Sequence, residues 1–302
     1  MEGDRTLDLR IANAALSQLS YHPTEGAEFY RNRLARDSRG DRQARARYHS
    51  GLRGTFMDIK PPFGYQDIVP LNRTQKVRLL RPGEIPAFAS DLNAIPISYS
   101  EFALVAREYP IVFTAVGGSQ VFAPVAVLGM AAGENLFNHG GSWAGNVYVP
   151  AYARRFPFCM TKVTLDKVEQ QNRLICVEKS HLDEAAGEAM FDAKGQPVEK
   201  WKEIERLLTE YEVDLERSRE MCGILSDYGL LEPFTMQAKF NSGGDPLHLT
   251  GMHRVAEGKI EHLNASQLKN LVKKGVLARI YAHLLSLDNF AKLLDRKAAK
   301  AA

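Results

Sequence analysis

Beyond residue 57, alternation and periodicity divide the chain into strands first and helices later. Tyr109 to Val116 (YPIVFTAV) and Val121 to Met130 (VFAPVAVLGM) are β-branched and aromatic runs joined by Gly117-Gly118-Ser119, which predicts a hairpin. Pro124 has no N–H to give a ladder, so it is expected at an edge or a bulge. Glu101 to Arg107 (EFALVAR) reads as a short helix leading in, and Thr161 to Leu165 with Arg173 to Val177 as a second strand pair. From Pro197 to Tyr228, Trp201, Ile204, Leu207, Leu208, Tyr211, Leu215, Met221 and Leu225 recur at helical spacing with charge between them. That pattern predicts one long amphipathic helix, stopped by Gly229. Phe234 to Phe240 and Leu247 to Val255 flank the turn formers NSGGDP and predict a second hairpin. Asn264 with Gln267 three residues later is a capping pattern, Gly275 ends or kinks the helix it starts, and a further helix is expected from Val276 to Leu294. Strands ahead of helices without βαβ alternation imply an α+β fold: antiparallel hairpins in the N-terminal half and middle, the long helix, and a C-terminal helix pair.

Charge divides the chain a second time. Of 39 bases and 36 acids, ten (all arginine) and seven lie before Met57, which leaves 29 of each beyond it. Residues 1–56 therefore carry the whole formal excess of +3, with little apolar content in the stretch RNRLARDSRGDRQARARYHSGLRG. They are expected to be an Arg-rich mobile arm, and 57–302 a single domain, β-rich over 65–195 and helical with one hairpin over 197–295. The abrupt change at Met57 also suggests that the native start lies there. A neutral body disfavours nucleic acid as a partner. The longest apolar run, Phe122 to Ala132, is interrupted by Pro124 and Gly129 and is shorter than the roughly 18 residues of a bilayer span, so no membrane insertion is expected. With acids where a secretory signal has bases, the expected address is the cytoplasm. Cys159, Cys176 and Cys222 are widely spaced, without a CxxC pair, and are expected as buried free thiols.

Among chemistry-bearing residues, the segment Tyr148 to Phe158 (YVPAYARRFPF) stands out. Pro150 and Pro157 bracket at most two helical turns; Tyr152 and Phe156 share a face, and Arg154 and Arg155 project about 100° apart. One guanidinium is thus expected to meet an internal carboxylate and the other solvent or a ligand. The glycine-rich stretch Gly133 to Gly145 would bring His139 and Trp143 alongside. His139, Trp143, Tyr148, Tyr152, Arg154 and Arg155 together make a candidate patch for an anion or a peptide backbone; the alternative is that the rings are core and the arginines structural ion pairs. There is no GxSxG, Walker loop, HExxH, paired-cysteine metal motif or GxGxxG, so no cofactor or metal is expected. His248 and His253 point to opposite strand faces, His283 reads as a hydrogen-bonded core histidine, and Glu134, Glu178 and Asp183 are isolated acids.

Seven pieces in order, DIVPLNR (67–73), EYPIVF (108–113), PVAVLGMAAGENLF (124–137), YVPAYARRFPF (148–158), GLLEPF (229–234), LTGMHRV (249–255) and GVLARIYAHLLSLDNFAKLL (275–294), resemble the SapC family of bacterial proteins. The resemblance implies no established catalytic residues. It implies an association with surface layers in name, and with outer-membrane receptors through genomic neighbourhood; the peptide-transport permease of the same name is a different, membrane-spanning protein. Two expectations follow. One is an accessory protein that binds a protein or peptide partner through the aromatic and arginine patch, in cell-surface or outer-membrane-receptor-linked processes. The other is an enzyme of unrecognised type modifying peptides or surface components, with His139, Arg154 and Arg155 in a cleft that also holds an acid such as Glu134.

Overall fold

The structure, a computed structural model, describes residues 7–8, 47–49, 56–116, 121–165, 168–238 and 247–301. Its strands are β1 (Leu7–Asp8), β2 (Arg47–His49), β3 (Phe56–Ile59), β4 (Ile68–Pro70), β5 (Lys76–Val77), β6 (Ala94–Pro96), β7 (Ile111–Ala115), β8 (Phe122–Val127), β9 (Asn138–His139), β10 (Ser142–Trp143), β11 (Phe158–Leu165), β12 (Val168–Glu178), β13 (Glu188–Ala189), β14 (Leu231–Ala238) and β15 (Leu247–Val255). Among the described residues six α-helices accompany them: α1 (Phe102–Val105), α2 (Ala151–Arg154), α3 (Glu199–Asp227), α4 (Ala265–Lys273), α5 (Val276–Ser286) and α6 (Asn289–Ala301). The architecture is α+β, with two main sheets that are antiparallel except where β1 joins β15 in parallel.

The first sheet runs β1-β15-β7-β8-β6, with β14 also pairing with β15; the second runs β2-β3-β11-β12-β4. The β7–β8 pair is the hairpin read from alternation, and it registers Ile111 to Ala115 against Ala126 to Phe122; its turn, with Gly117-Gly118-Ser119, lies outside the described residues. Strand β8 is interior to the sheet rather than at its edge. Pro124 is accommodated because the β6 ladder ends one residue away, at Pro96 opposite Val125, and the Pro124 carbonyl faces that end and accepts from Ile97 N–H at 3.2 Å. The second hairpin is β14–β15, whose NSGGDP turn also lies outside the described residues. Of residues 1–56, expected as an arm, only the short pieces in β1, β2 and the start of β3 are described; Met57 itself lies within β3, opposite Tyr48 and Leu165.

The largest hydrophobic core joins the first sheet to α1, α3, α4, α5 and α6, from Ile85 through Phe113, Val125 and Leu225 to Leu293. Two smaller cores back the second sheet, one built on Ile59, Tyr65, Phe156, Cys159 and Cys176, the other on Phe158, Trp201 and Leu208. The long helix α3 serves both regions: Trp201 and Leu208 near its start pack under the second sheet, while Met221 and Leu225 near its end reach the first. Gly229, at φ 65°, stops it as the pattern predicts. Cys159, Cys176 and Cys222 are buried free thiols.

At the C-terminus the Asn264–Gln267 capping box starts α4, and Gly275 at φ 67° turns the chain into α5. The expected helix from Val276 to Leu294 is two helices, α5 and α6, parted at Leu287–Asp288. The Asn289 side chain donates to the carbonyls of Ala106 and Tyr109, and this tertiary link competes with helix continuation at the joint. His283 is fully buried on α5. Its Nδ1 lies 2.8 Å from the Ile111 carbonyl and its Nε2 accepts from Val255 N–H at 3.1 Å, so those partners select the Nδ1–H tautomer. Burial lowers its pKa to about 4, which keeps the ring neutral.

Candidate functional site

The proline-bracketed segment folds as its sequence dictates. Pro150 opens α2, the helix ends at Arg154, and Pro157 follows a cis peptide bond from Phe156. The two adjacent guanidinium groups separate as their angular offset requires: Arg155 is 2% exposed, and Arg154 is at the surface.

Arg155 sits in a cage of rings. Its guanidinium carbon lies 4.2 Å from the Tyr152 ring centre, 4.8 Å from Tyr211 and 5.7 Å from Tyr65. Nη1 lies 3.9 Å from Glu212 on α3, whose carboxylate is shared with Arg173 of β12. Nε and Nη2 have no hydrogen-bond partner among the described residues, so ring faces and one distant carboxylate carry the electrostatic compensation. Burial raises the pKa of Tyr65 and Tyr211, and that of Tyr152 to about 12, which keeps all three rings neutral around the cation. The cage ties α2, the β11–β12 sheet and α3 together.

Arg154 is placed differently. Nε donates to the Val149 carbonyl at 2.9 Å, Nη2 donates to the Tyr148 hydroxyl at 2.7 Å, and the guanidinium lies 5.2 Å from the Tyr148 ring centre. Tyr148 in turn donates to Glu101 Oε1 at 3.1 Å. Glu101 is the buried hub. Oε1 also accepts from Ala151 N–H, the first N–H of α2, at 2.6 Å, and Oε2 accepts from Ser98 N–H at 2.7 Å and from the Ser98 hydroxyl at 2.8 Å. Burial pushes the Glu101 pKa up; the bonds from Ala151 and Ser98 and the charge of Arg154 pull against that. Sequence reasoning missed Glu101 as a site residue, although Ser98-Tyr99-Ser100-Glu101 has the S-x-x-E form of a capping box, and the structure contains that box.

The other expected patch residues do not converge on one surface. Trp143 is 5% exposed and donates through Nε1 to the Tyr109 hydroxyl at 2.8 Å, and Tyr109 donates to the Tyr148 carbonyl at 2.7 Å. Tyr152 is fully buried and donates to the Phe63 carbonyl at 2.7 Å. The indole, Tyr152 and Arg155 therefore act from inside, bracing the segment that presents Arg154 and the half-buried Tyr148. His139 is exposed on the β9–β10 hairpin. Glu134 is engaged with Lys297 at 2.7 Å and with Met130 N–H at 2.9 Å, so it does not meet Arg155 in a common cleft.

A second feature had no signal in the linear sequence. A cavity of about 320 Å³ opens where the C-terminal half of α3 meets the α4–α5 joint. No group of three or more His, Cys, Asp or Glu side chains able to hold a metal occurs among the described residues, and no helix there is long and apolar enough to cross a membrane.

Among known protein families, the SapC family model matches residues 73–293, a span that contains α1 to α5, Arg154 and Arg155, and the cavity. No curated protein and no solved structure matches the chain.

Proposed function

The chain belongs to the SapC family, and from that premise we propose that it is an accessory protein that binds a protein or peptide partner in cell-surface or outer-membrane-receptor-linked processes, with Arg154 as the contact residue. One observation carries this reading: a surface guanidinium is held in a single pose by three contacts with two neighbours, Val149 and Tyr148, yet has no carboxylate within ion-pair distance among the described residues. Two of its five N–H donors are used on Val149 and Tyr148, and three remain for a ligand. A planar fork with its orientation already set loses less entropy when it takes a peptide carboxylate or carbonyl than a freely rotating side chain does. Trp143, Tyr148, Tyr152 and Arg155 support this reading as the braces of that pose, and His139 lies on a neighbouring exposed hairpin.

The test is affinity capture from an envelope extract of the source cell, with immobilised wild type, Arg154→Ala and Arg154→Lys. Capture is expected to be lost with alanine and weakened with lysine, because an ammonium cannot reproduce the fork. Equal recovery by all three folded proteins removes Arg154 from the interface and the proposal with it.

A further inference from the structure

The cavity between α3 and the α4–α5 joint has a floor and a rim of different character. Met221 and Val276, each 1% exposed, form the base with Ile224, and the Tyr99 ring forms one wall. The rim is charged, with Arg217 and Glu220 from α3 and Lys273 and Lys274 from the end of α4. Most of that charge is spoken for. Arg217 faces Asp214 at 3.4 Å, and Lys274 pairs with Glu220. Lys273 has no ion-pair partner among the described residues, so the rim keeps one uncompensated ammonium above an apolar base.

The walls are braced. The Tyr99 hydroxyl donates to the Lys274 carbonyl at 2.7 Å, and the Arg279 guanidinium lies 4.0 Å from the Tyr99 ring centre. Gly275, at φ 67°, lets the joint close on Tyr99, since a Cβ there would stand 2.5 Å from the tyrosine oxygen. The shape is thus set by tertiary contacts before any ligand arrives.

From this geometry we infer that the cavity binds a monoanionic carboxylate carrying a short aliphatic body, with the carboxylate at Lys273 and the body on Met221, Ile224 and Val276. Lys273 is the one cation lining the cavity without an ion-pair partner among the described residues, and one such charge matches one carboxylate better than a doubly charged phosphate. A volume of about 320 Å³ lies at the small end of ligand sites, which fits a six-carbon acid or one terminal peptide residue. The apolar floor favours a ligand with an aliphatic part over a bare ion. Free short-chain acids and peptide C-termini share this chemistry.

Amide NMR titrations of the full chain with hexanoate, hexanol, inorganic phosphate, and the tripeptide acetyl-Ala-Ala-Leu as acid and as amide test it. Hexanoate is expected to shift the amides of Ile224, Lys273 and Val276 and to bind more tightly than hexanol by up to about fivefold, the scale of one partly exposed charge contact. Lys273→Gln is expected to bring hexanoate down to the hexanol level. Binding of the tripeptide acid but not its amide assigns the site to peptide C-termini; binding of hexanoate alone assigns it to free acids. The inference is overturned if phosphate or hexanol binds as well as hexanoate, if Lys273→Gln changes nothing, if the shifts map elsewhere, or if neither acid binds. Arg154→Ala leaves hexanoate binding intact when both sites are as described, so loss of the partner-capture result does not remove this one.

Discussion

The Arg155 cage and the cavity at the α4–α5 joint are built from the same parts, cationic side chains and tyrosine rings against α3, and they come to opposite ends. Around Arg155 three rings and the Glu212 carboxylate close over one guanidinium that is 2% exposed. At the joint, Arg217, Lys273 and Lys274 stand around an opening, and pairing with Asp214 and Glu220 leaves Lys273 over. Aromatic rings beside arginines are therefore no sign of a binding surface by themselves. What separates a strut from a site is whether the protein's own groups already use the charge and whether solvent reaches it.

The largest expected effect comes from breaking the strut. Arg155→Ala removes the ring contacts and leaves Glu212, 12% exposed at its side chain, with Arg173 as its remaining ion-pair partner among the described residues. We expect a loss of about 3 kcal/mol in urea unfolding, the lower part of the range for removing one partner of a buried pair. Arg155→Lys is expected to recover little, because an ammonium is a point charge that cannot spread over three ring faces. A near-neutral Arg155→Ala would show that the cage is not a strut and would erase the contrast with the joint.

A buried group that titrates sharpens the same distinction. His283 has a pKa of about 4 in the fold and an ordinary value near 6.5 when unfolded. The unfolded chain binds the proton more tightly, so stability is full above pH 6.5, falls as pH drops through that value, and levels off below about pH 4. The full loss is about 3 kcal/mol. Carboxylates titrate in the same window, Glu101 with the opposite sign because its pKa is raised. The difference between wild type and His283→Gln, measured by urea unfolding at several pH values, isolates the histidine, and a pH-independent difference would refute the account.

A smaller effect is expected at the joint. Gly275→Ala places a Cβ 2.5 Å from the Tyr99 hydroxyl at a φ of 67°. A loss of about 1 kcal/mol or more in thermal unfolding is expected, together with weaker hexanoate binding, because Tyr99 must move and it forms a wall. Unchanged binding by the destabilised variant would show that the wall does not shape the site.

Much of the fold was legible because it is local. The β7–β8 hairpin, the long helix α3 and the Asn264–Gln267 box each depend on patterns within about thirty residues, and each is present. The break between α5 and α6 was missed because Asn289 is drawn to Ala106 and Tyr109, some 180 residues earlier, although Asp288-Asn289 offers a capping signal. The site was half legible. The offset of about 100° between neighbours said that Arg154 and Arg155 must part, but only the position of Glu212 and Tyr211 on α3 decides which goes inward. Trp143 in its glycine-rich turn reads equally as a patch ring or as core until Tyr109 is known to take its N–H. The cavity left no local trace, since Tyr99, Met221 and Lys273 come together only in the fold.

The least disruptive change tests the pose of Arg154. Tyr148→Phe keeps the ring under the guanidinium but removes the hydroxyl that accepts from Arg154 Nη2 and donates to Glu101. Glu101 still accepts from Ala151 and Ser98, so it is not left unpaired. About 1 kcal/mol or less is expected in stability. Partner capture, by contrast, is expected to fall toward that of Arg154→Lys, since the guanidinium remains but its orientation is released. If Tyr148→Phe captures as well as wild type while Arg154→Ala does not, the charge alone suffices. The chain from Glu101 through Tyr148 to Arg154 would then be structural, like the Arg155 cage beneath it.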